Sequence, residues 1–567
     1  MVNIGSKKIG AFLGLFIGIM IVIIINQIST KYFFRTDLTE EKRFTISKST
    51  IQILENLQDA VYIDVYLDGD LPAPFKRLQK AIKETLEEFK VYTGDNLQFN
   101  FINPSTAATE KARNGFYQNL ARKGIQPTNL YDSKDGKKTQ NLIFPGAIVS
   151  YGLKETAVML LGGNKTASPQ EQLNQSIENI EYILSNAIQK LSQPIFKKIA
   201  ILQGHGELDT LQSAGLYTVV SEQYKVRYVN LSWLTELSGY DAMIMAKPTK
   251  PFNSLDKFKI DQFIMRGGKA FFLIDMLTVN MDSAGGTGTY AFPETLNLDD
   301  LLFKYGFRLN QDFVIDLMAG KYPVVVGNMG QNPQVKLMTW PFYPLINNFS
   351  NHPIVKNMDA ISTRFVGTID TVKAQGIKRT PLMTTSKYSR ILSSPVHVGV
   401  NDLKNELKPE SFNAGPQHIS WLAEGRFTSL YKNHFLPSSM DTSQFIAEGR
   451  ESAIVVVSDG DLARNDFNPK TKAPLELGLD PFTKTKFANA DFVLNTLAYM
   501  VEDDGLINTR SKEVTIRPLD EIKIKENKLF IQLINVIAPV ILIIVFGLIK
   551  NILRRNKYAR FKDDTGE

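Results

Sequence analysis

Two stretches of this chain, Ile9 to Ile28 and Leu529 to Ile549, each run about 20 residues without a charge, and nothing else in the sequence limits the fold so severely. A helix rising 1.5 Å per residue needs about 20 apolar residues to cross the ~30 Å hydrocarbon layer of a bilayer, so both stretches read as transmembrane helices. The first has a rival reading as a cleavable signal peptide, because Lys7 and Lys8 precede it. Its apolar run exceeds the usual ~7–15 residues, however, and the segment Asn26-Gln27-Ile28-Ser29-Thr30-Lys31 offers no small-x-small cleavage site. The rival for the second is a buried core helix, but Lys550, Arg554, Arg555, Lys557, Arg560 and Lys562 follow it, as expected of a stop at the cytoplasmic face. Both termini are therefore expected in the cytoplasm, with Ser29 to Lys528 exported and Tyr32, Phe33 and Phe34 at the outer interface.

Charge follows from the same topology. Lys7 and Lys8, with six bases against three acids after residue 549, account for five of the seven excess positive charges. The exported region is left nearly neutral, no nucleic-acid motif is visible, and nucleic acid is set aside as a partner. Cysteine is absent, which removes disulfides, thiolate metal sites and any cysteine nucleophile.

Between the anchors the sequence reads as α/β. Ser47 or Ser49 is placed to cap a helix through Leu57; VYIDVYL (61–67) alternates as a half-buried strand does; Phe75, Leu78, Ile82, Leu86 and Phe89 share one helical face. Strands are expected at 97–102, 143–151 and 156–161, and helices at 106–123 and from Pro169. Pro194 opens a second unit in which KIAIL (198–202) and apolar runs at 226–229, 242–245 and 270–274 alternate with helices at 210–223 and 255–265. This order predicts a doubly wound, mostly parallel sheet. DSAGGTGTY (282–290) reads as a loop, 454–457 as a returning strand, 491–501 as a closing helix and 514–517 as a strand. The expected segments are a cytoplasmic N-terminus (1–8), a first span (9–28), a stalk (29–58), an N-terminal α/β domain (59–192), a second α/β domain (193–505) with an insertion around 295–450, a membrane-proximal segment (506–528), a second span (529–549) and a basic tail (550–567).

Gly204-His205-Gly206-Glu207 follows a predicted strand, where open α/β sheets place their ligand crevices. His205 and Glu207 suit ligand contacts or a proton-transfer pair; the same residues suit a tight βα turn. Asp209 occupies the third glycine position of a dinucleotide fingerprint, which argues against a nicotinamide or flavin site. Asp459 and Asp461 follow another strand and suit a small cation or sugar hydroxyls, or an Asx-stabilised turn. No metalloprotease, serine-hydrolase or complete Walker A motif is present, so no catalytic, metal or cofactor residue is assigned. Gly10, Gly14 and Gly18 line one face of the first span, and Gln532 and Asn535 are polar groups in the second; both features suit packing against another membrane helix.

RTDLTEEKRFTIS, VYLDGDLPAPFKRL, ILQGHGELD, TLNLDDLLFKYGFRLNQDFVIDL and VVSDGDLARND together resemble the GldG family of gliding-motility ABC transporter auxiliary proteins. The resemblance implies a bacterial inner-membrane protein, treated as a substrate-binding component, that works with a permease and a cytoplasmic ATPase. It also implies a second domain similar to a module of intraflagellar transport proteins and of a non-catalytic oligosaccharyltransferase subunit. That module looks like a class I glutamine amidotransferase fold, whose enzymes need a cysteine, so binding of a glycan or protein ligand is favoured over catalysis. Gly204, His205, Gly206, Glu207, Asp459 and Asp461 are the candidate contacts. Two other readings stand beside it: an enzyme acting on exported glycans, with Glu207 and His205 as acid and base and Asp459 or Asp461 as second carboxylate, and a structural scaffold.

Overall fold

A computed structural model describes residues 4–31, 45–106, 109–134, 137–193, 196–234, 236–329, 332–404, 407–437, 445–511 and 526–559. Contacts divide the chain into two units, residues 1–514 and 515–567.

The first unit begins with helix α1 (Ile4–Lys31), whose residues Phe12 to Asn26 form an exposed apolar stretch. Helix α2 (Lys48–Glu55) starts where Ser47 accepts a hydrogen bond from the Thr50 amide, so the first of the two serines is the cap. Strand β1 (Val61–Val65) buries Val61, Ile63 and Val65 completely, while Tyr62 faces outward. Helix α3 (Ala73–Thr93) lays Leu78, Ile82, Leu86 and Phe89 over that sheet. Strand β2 (Leu97–Phe101) pairs parallel with β1. Helix α4 (Glu110–Lys123) is capped by Thr109 and ends at Gly124 in the left-handed region. Strands β3 (Thr128–Lys134) and β4 (Lys137–Ile143) form a separate hairpin. Strands β5 (Gly146–Tyr151) and β6 (Lys154–Met159) complete the sheet in the order β2-β1-β5-β6, with β5 antiparallel to both β1 and β6. Helix α5 (Pro169–Ser192), with Ser168 as cap and Pro169 in its first turn, packs Ile180, Leu184, Ile188 and Leu191 into the same core. Leu506 and Ile507 join that core from far along the chain.

The larger sheet follows. Strands β7 (Lys198–Gln203), β8 (Lys225–Asn230), β9 (Ala242–Ala246) and β10 (Lys269–Leu273) run parallel to one another, and the strand Glu448–Val457 extends the parallel set beyond β10. Helix α6 (Ala214–Ser221) links β7 to β8, and helix α7 (Ser254–Met265) links β9 to β10. Beyond Glu448–Val457 the pairing turns antiparallel through His418–Thr428, Ile377–Thr384 and Asn348–Phe349, giving eight strands. Alternate strand residues enter two cores. Ile199, Ile244, Phe271 and Val455 meet Leu216 of α6 and Phe492 of the helix Asn489–Val501. Ala200, Met243, Phe272 and Val456 meet Phe258 and Ile264 of α7.

Several local expectations need correction. Residues 282–290 are not a simple loop: a short helix, Met281–Gly285, capped by Asn280, leads into a strand, Thr289–Pro293. Residues 295–450, expected as an α/β insertion, supply the three antiparallel strands of the large sheet, and their other described strands outnumber their helices. The strand expected at 514–517 and most of the stalk motif at 35–47 lie outside the described residues.

The second unit contains the helix Lys528–Ala559. Its Lys528–Asn556 portion, 29 residues with none buried, is the one described helix long and apolar enough to cross a membrane. The apolar stretch of α1 is shorter.

Candidate functional site

The turn after β7 depends on its glycines. Gly204 and Gly206 have φ of +119° and +71°, and a Cβ on Gly206 would overlap Thr249 Oγ1. The carbonyl of His205 accepts hydrogen bonds from the amides of Thr249 and Lys250, both at 2.9 Å. Its ring stacks on Phe252, with centroids 3.8 Å apart and planes 12° from parallel. Nε2 lies 3.3 Å from Asp256 Oδ2, and Asp256 in turn holds Lys259 Nζ at 2.7 Å. Lys259 also donates to the Leu231 carbonyl. Glu207 Oε2 accepts from the His205 amide at 2.6 Å, and its other oxygen faces His205 Nδ1 at 3.6 Å. Burial alone would raise the Asp256 carboxyl, but the hydrogen bond and charge of Lys259, the Asn253 amide and His205 hold it below the usual range. The turn is thereby clamped onto the first turn of α7, and its side chains point inward.

The second motif lies past the strand Glu448–Val457. Asp459 is fully buried; its oxygens accept from the amides of Arg364 (3.0 Å) and Asp461 (2.8 Å). Asp461 ends instead in a cavity of about 410 Å³. Three strand ends supply one wall: Lys247 after β9, Asp275 after β10, and Asp461. Lys247 adopts φ +55°, unusual for a residue with a side chain. From there its Nζ reaches Asp275 Oδ2 at 3.0 Å and Asp461 Oδ2 at 2.5 Å. Arg464 adds a 3.3 Å contact to Asp461, and Arg364 pairs with Asp466 at 2.6 Å while lying over the Tyr343 ring. Tyr322, Tyr343, Phe365 and Phe482 form the aromatic side.

The field of this wall orders the protons. Burial pushes the Asp461 carboxyl up, but Lys247, Arg464 and Arg364 outweigh it and hold it at about 2. Burial pulls Lys247 down, and the carboxylates of Asp275 and Asp461 reverse this, leaving it above its ordinary value. Asp459, buried beside the charges of Asp275 and Asp461, is pushed well up. Asp275 is also raised, by burial and then by Asp461, against the opposing pull of Lys247.

Of the six expected ligand contacts, Asp461 alone lines the cavity. His205 and Glu207 lie behind it, joined through Thr249, whose amide bonds the His205 carbonyl and which lines the cavity itself. Lys247, Asp275, Arg364, Tyr322 and Phe482 were not singled out by sequence. The strand-end rule applied to β9 and β10 picks out Lys247 and Asp275; no local signal marks Tyr322 or Phe482. Among the described residues no group of His, Asp and Glu is arranged to hold a metal ion. In the helices, Gly14 and Gly18 have open space beside them, Gln532 and Asn535 are exposed, and the surroundings of Gly10 lie outside the described residues.

A family model for the auxiliary component of an ABC-type uncharacterized transport system matches residues 197–496, and a model for a domain of unknown function matches residues 40–150. An uncharacterized protein of Borreliella burgdorferi is 22% identical over 449 residues, covering 76% of this chain and 81% of that protein. Among solved structures, the mmIFT52 N-terminal domain superposes with a TM-score of 0.30 at 13% identity, over 54% of this chain and 99% of that one. A ThuA-like protein from Parabacteroides merdae gives 0.26 at 10% identity, over 58% and 94%. At TM-scores this low neither similarity speaks to fold or activity.

Proposed function

The chain belongs to the auxiliary family of ABC-type uncharacterized transport systems and so has an accessory role in such a system; on that premise we propose that it is a non-enzymatic, membrane-anchored subunit that couples a large exported region to a permease and a cytoplasmic ATPase. In the finer reading both apolar stretches span the bacterial inner membrane, both termini are cytoplasmic, the bulk is periplasmic, and the system is that of gliding motility, as in GldG-type proteins. The observation that carries this reading is the family match across the eight-stranded sheet in a chain that also holds a 29-residue apolar helix with no buried residue. An unburied apolar helix of that length is stable in lipid and costly in water.

The glycan-cleaving alternative needs two carboxylates facing one cleft. Glu207, His205 and Asp459 are buried and line no part of the cavity, so the acid and base assigned from sequence do not face it; Asp461 shares it with Asp275, Asp466 and Glu294, of which the first two are paired with Lys247 and Arg364. A bare scaffold would need no concave site at the strand ends, and one is present. Purification of the full chain from membranes through a C-terminal tag in mild detergent tests the proposal: a permease and an ATPase are expected to co-purify, and a chain recovered alone would overturn it.

A further inference from the structure

The cavity at the strand ends reaches beyond transporter assembly to the nature of the ligand. We infer that it is a saccharide-binding site, shaped for a neutral, hydroxyl-rich sugar of about disaccharide size. The volume of about 410 Å³ falls within the ~300–1,000 Å³ typical of small-molecule pockets.

Charge selects the class of ligand. Every cation of the wall already has a carboxylate: Lys247 has Asp275 and Asp461, Arg464 has Asp461, and Arg364 has Asp466. An anion would have to compete with those carboxylates, and breaking the pairs at Asp275 or Asp461 leaves a nearly buried charge uncompensated. A metal cation would meet Asp275, Asp461 and Asp466 already occupied by lysine or arginine, and Glu294, the remaining carboxylate of the lining, accepts from the Thr278 hydroxyl. A neutral molecule breaks no pair. It finds the spare donors of Lys247, Arg364 and Arg464 beside the spare acceptor positions of Asp466, the alternation of donors and acceptors that vicinal hydroxyls satisfy.

The opposite wall supplies what the C–H face of a sugar ring packs against. Tyr322 and Phe482 stand edge to face with centroids 6.3 Å apart, and Phe482 is 43% exposed. The polar groups are set before any ligand arrives. Lys247 is held between two carboxylates, Arg364 is sandwiched between Asp466 and the Tyr343 ring, and little side-chain ordering is left for binding to offset.

This goes beyond the coupling role proposed above by assigning the exported region a ligand, and the two fail separately. Loss of sugar binding by a chain that still co-purifies with a permease and an ATPase removes only this inference; sugar binding by a chain that co-purifies with neither removes only that reading. The test is calorimetric titration of the full-length protein in mild detergent with N,N′-diacetylchitobiose, maltose and cellobiose, and with inorganic phosphate and glucuronate as anionic probes. At least one neutral disaccharide is expected to bind with Kd at or below about 1 mM. That affinity should change less than about twofold between about 0.05 and 0.5 M salt. Phe482→Ala and Arg464→Gln should each weaken it by at least about tenfold, one 1.4 kcal/mol step. Phe435→Ala, at a fully exposed ring that does not line the cavity, should leave it unchanged. Absence of neutral-sugar binding, binding that survives both cavity variants, or salt-sensitive binding of the anions alone would each overturn the inference.

Discussion

His352 stands edge-on to Tyr499, with ring centroids 4.6 Å apart, and burial followed by the charge of Lys378 lowers its pKa to about 4. An imidazole whose folded pKa lies below its unfolded value of about 6.5 costs nothing above that value. As pH falls below it, the unfolded chain takes the proton first. Stability should therefore drop by roughly 2–3 kcal/mol between pH 6.5 and about 4. Denaturant titrations of His352→Phe across that window should show a shallower slope than the parent, and an unchanged slope would place the effect elsewhere. The Asp256–Lys259 pair behaves differently because both partners are almost completely buried. Lys259→Met leaves Asp256 without its main counter-charge and is expected to cost about 3–5 kcal/mol in chemical unfolding, whereas pairing it with Asp256→Leu should recover much of the loss. Residue type was legible in the two glycine-flanked motifs, but direction was not. GHGE announced a strand-end turn, yet whether His205 faces a ligand or Phe252 depends on α7, about fifty residues further on. Asp461 and Asp459 differ in the same way: two residues apart, one reaches the cavity and the other bonds backbone amides.

Helices with an apolar stripe and a capping residue were the most legible elements. The apolar positions of α3 recur at helical spacing, and Pro169 marks the start of α5. Ser168→Ala removes the acceptor for the Glu171 amide and should lower stability by about 1 kcal/mol in thermal melts, with no change in the sheet signal of circular dichroism. α7 shows where periodicity fails. Every residue from Asp256 to Met265 is buried, so its charges found partners instead of solvent. The stretch from 295 to 450 was hard to read because its strands pair with partners distant in sequence. Ile377–Thr384 and His418–Thr428 take their register from each other and from Glu448–Val457, with bulges at Pro381/Met383 and Arg426/Thr428, and a bulge erases strict alternation. In α1, Gly14 and Gly18 have no neighbour within reach of a Cβ, leaving that face open for another helix. Gly14→Ile should reduce co-purification of the membrane partner while leaving the folded region's melting unchanged; undiminished recovery would rule that face out.

At the scale of the whole molecule, lipid and water divide the sequence between them. Basic residues cluster beyond the apolar stretches, the region between them is close to neutral, and the apolar helix Lys528–Asn556 has no buried residue. Without cysteine, the folded mass between the apolar stretches is held by apolar cores on both faces of the large sheet and by a third beneath α3 and α5. An accessory subunit earns its place only if its state alters its companions, which makes coupling the central claim. ATP hydrolysis by the transporter assembly should be measured after purification from cells that carry or lack this chain. A difference in turnover of at least about fivefold is expected, in keeping with coupling energies of ~1–3 kcal/mol; equal turnover, or an assembly in which this chain was never present, would contradict the account.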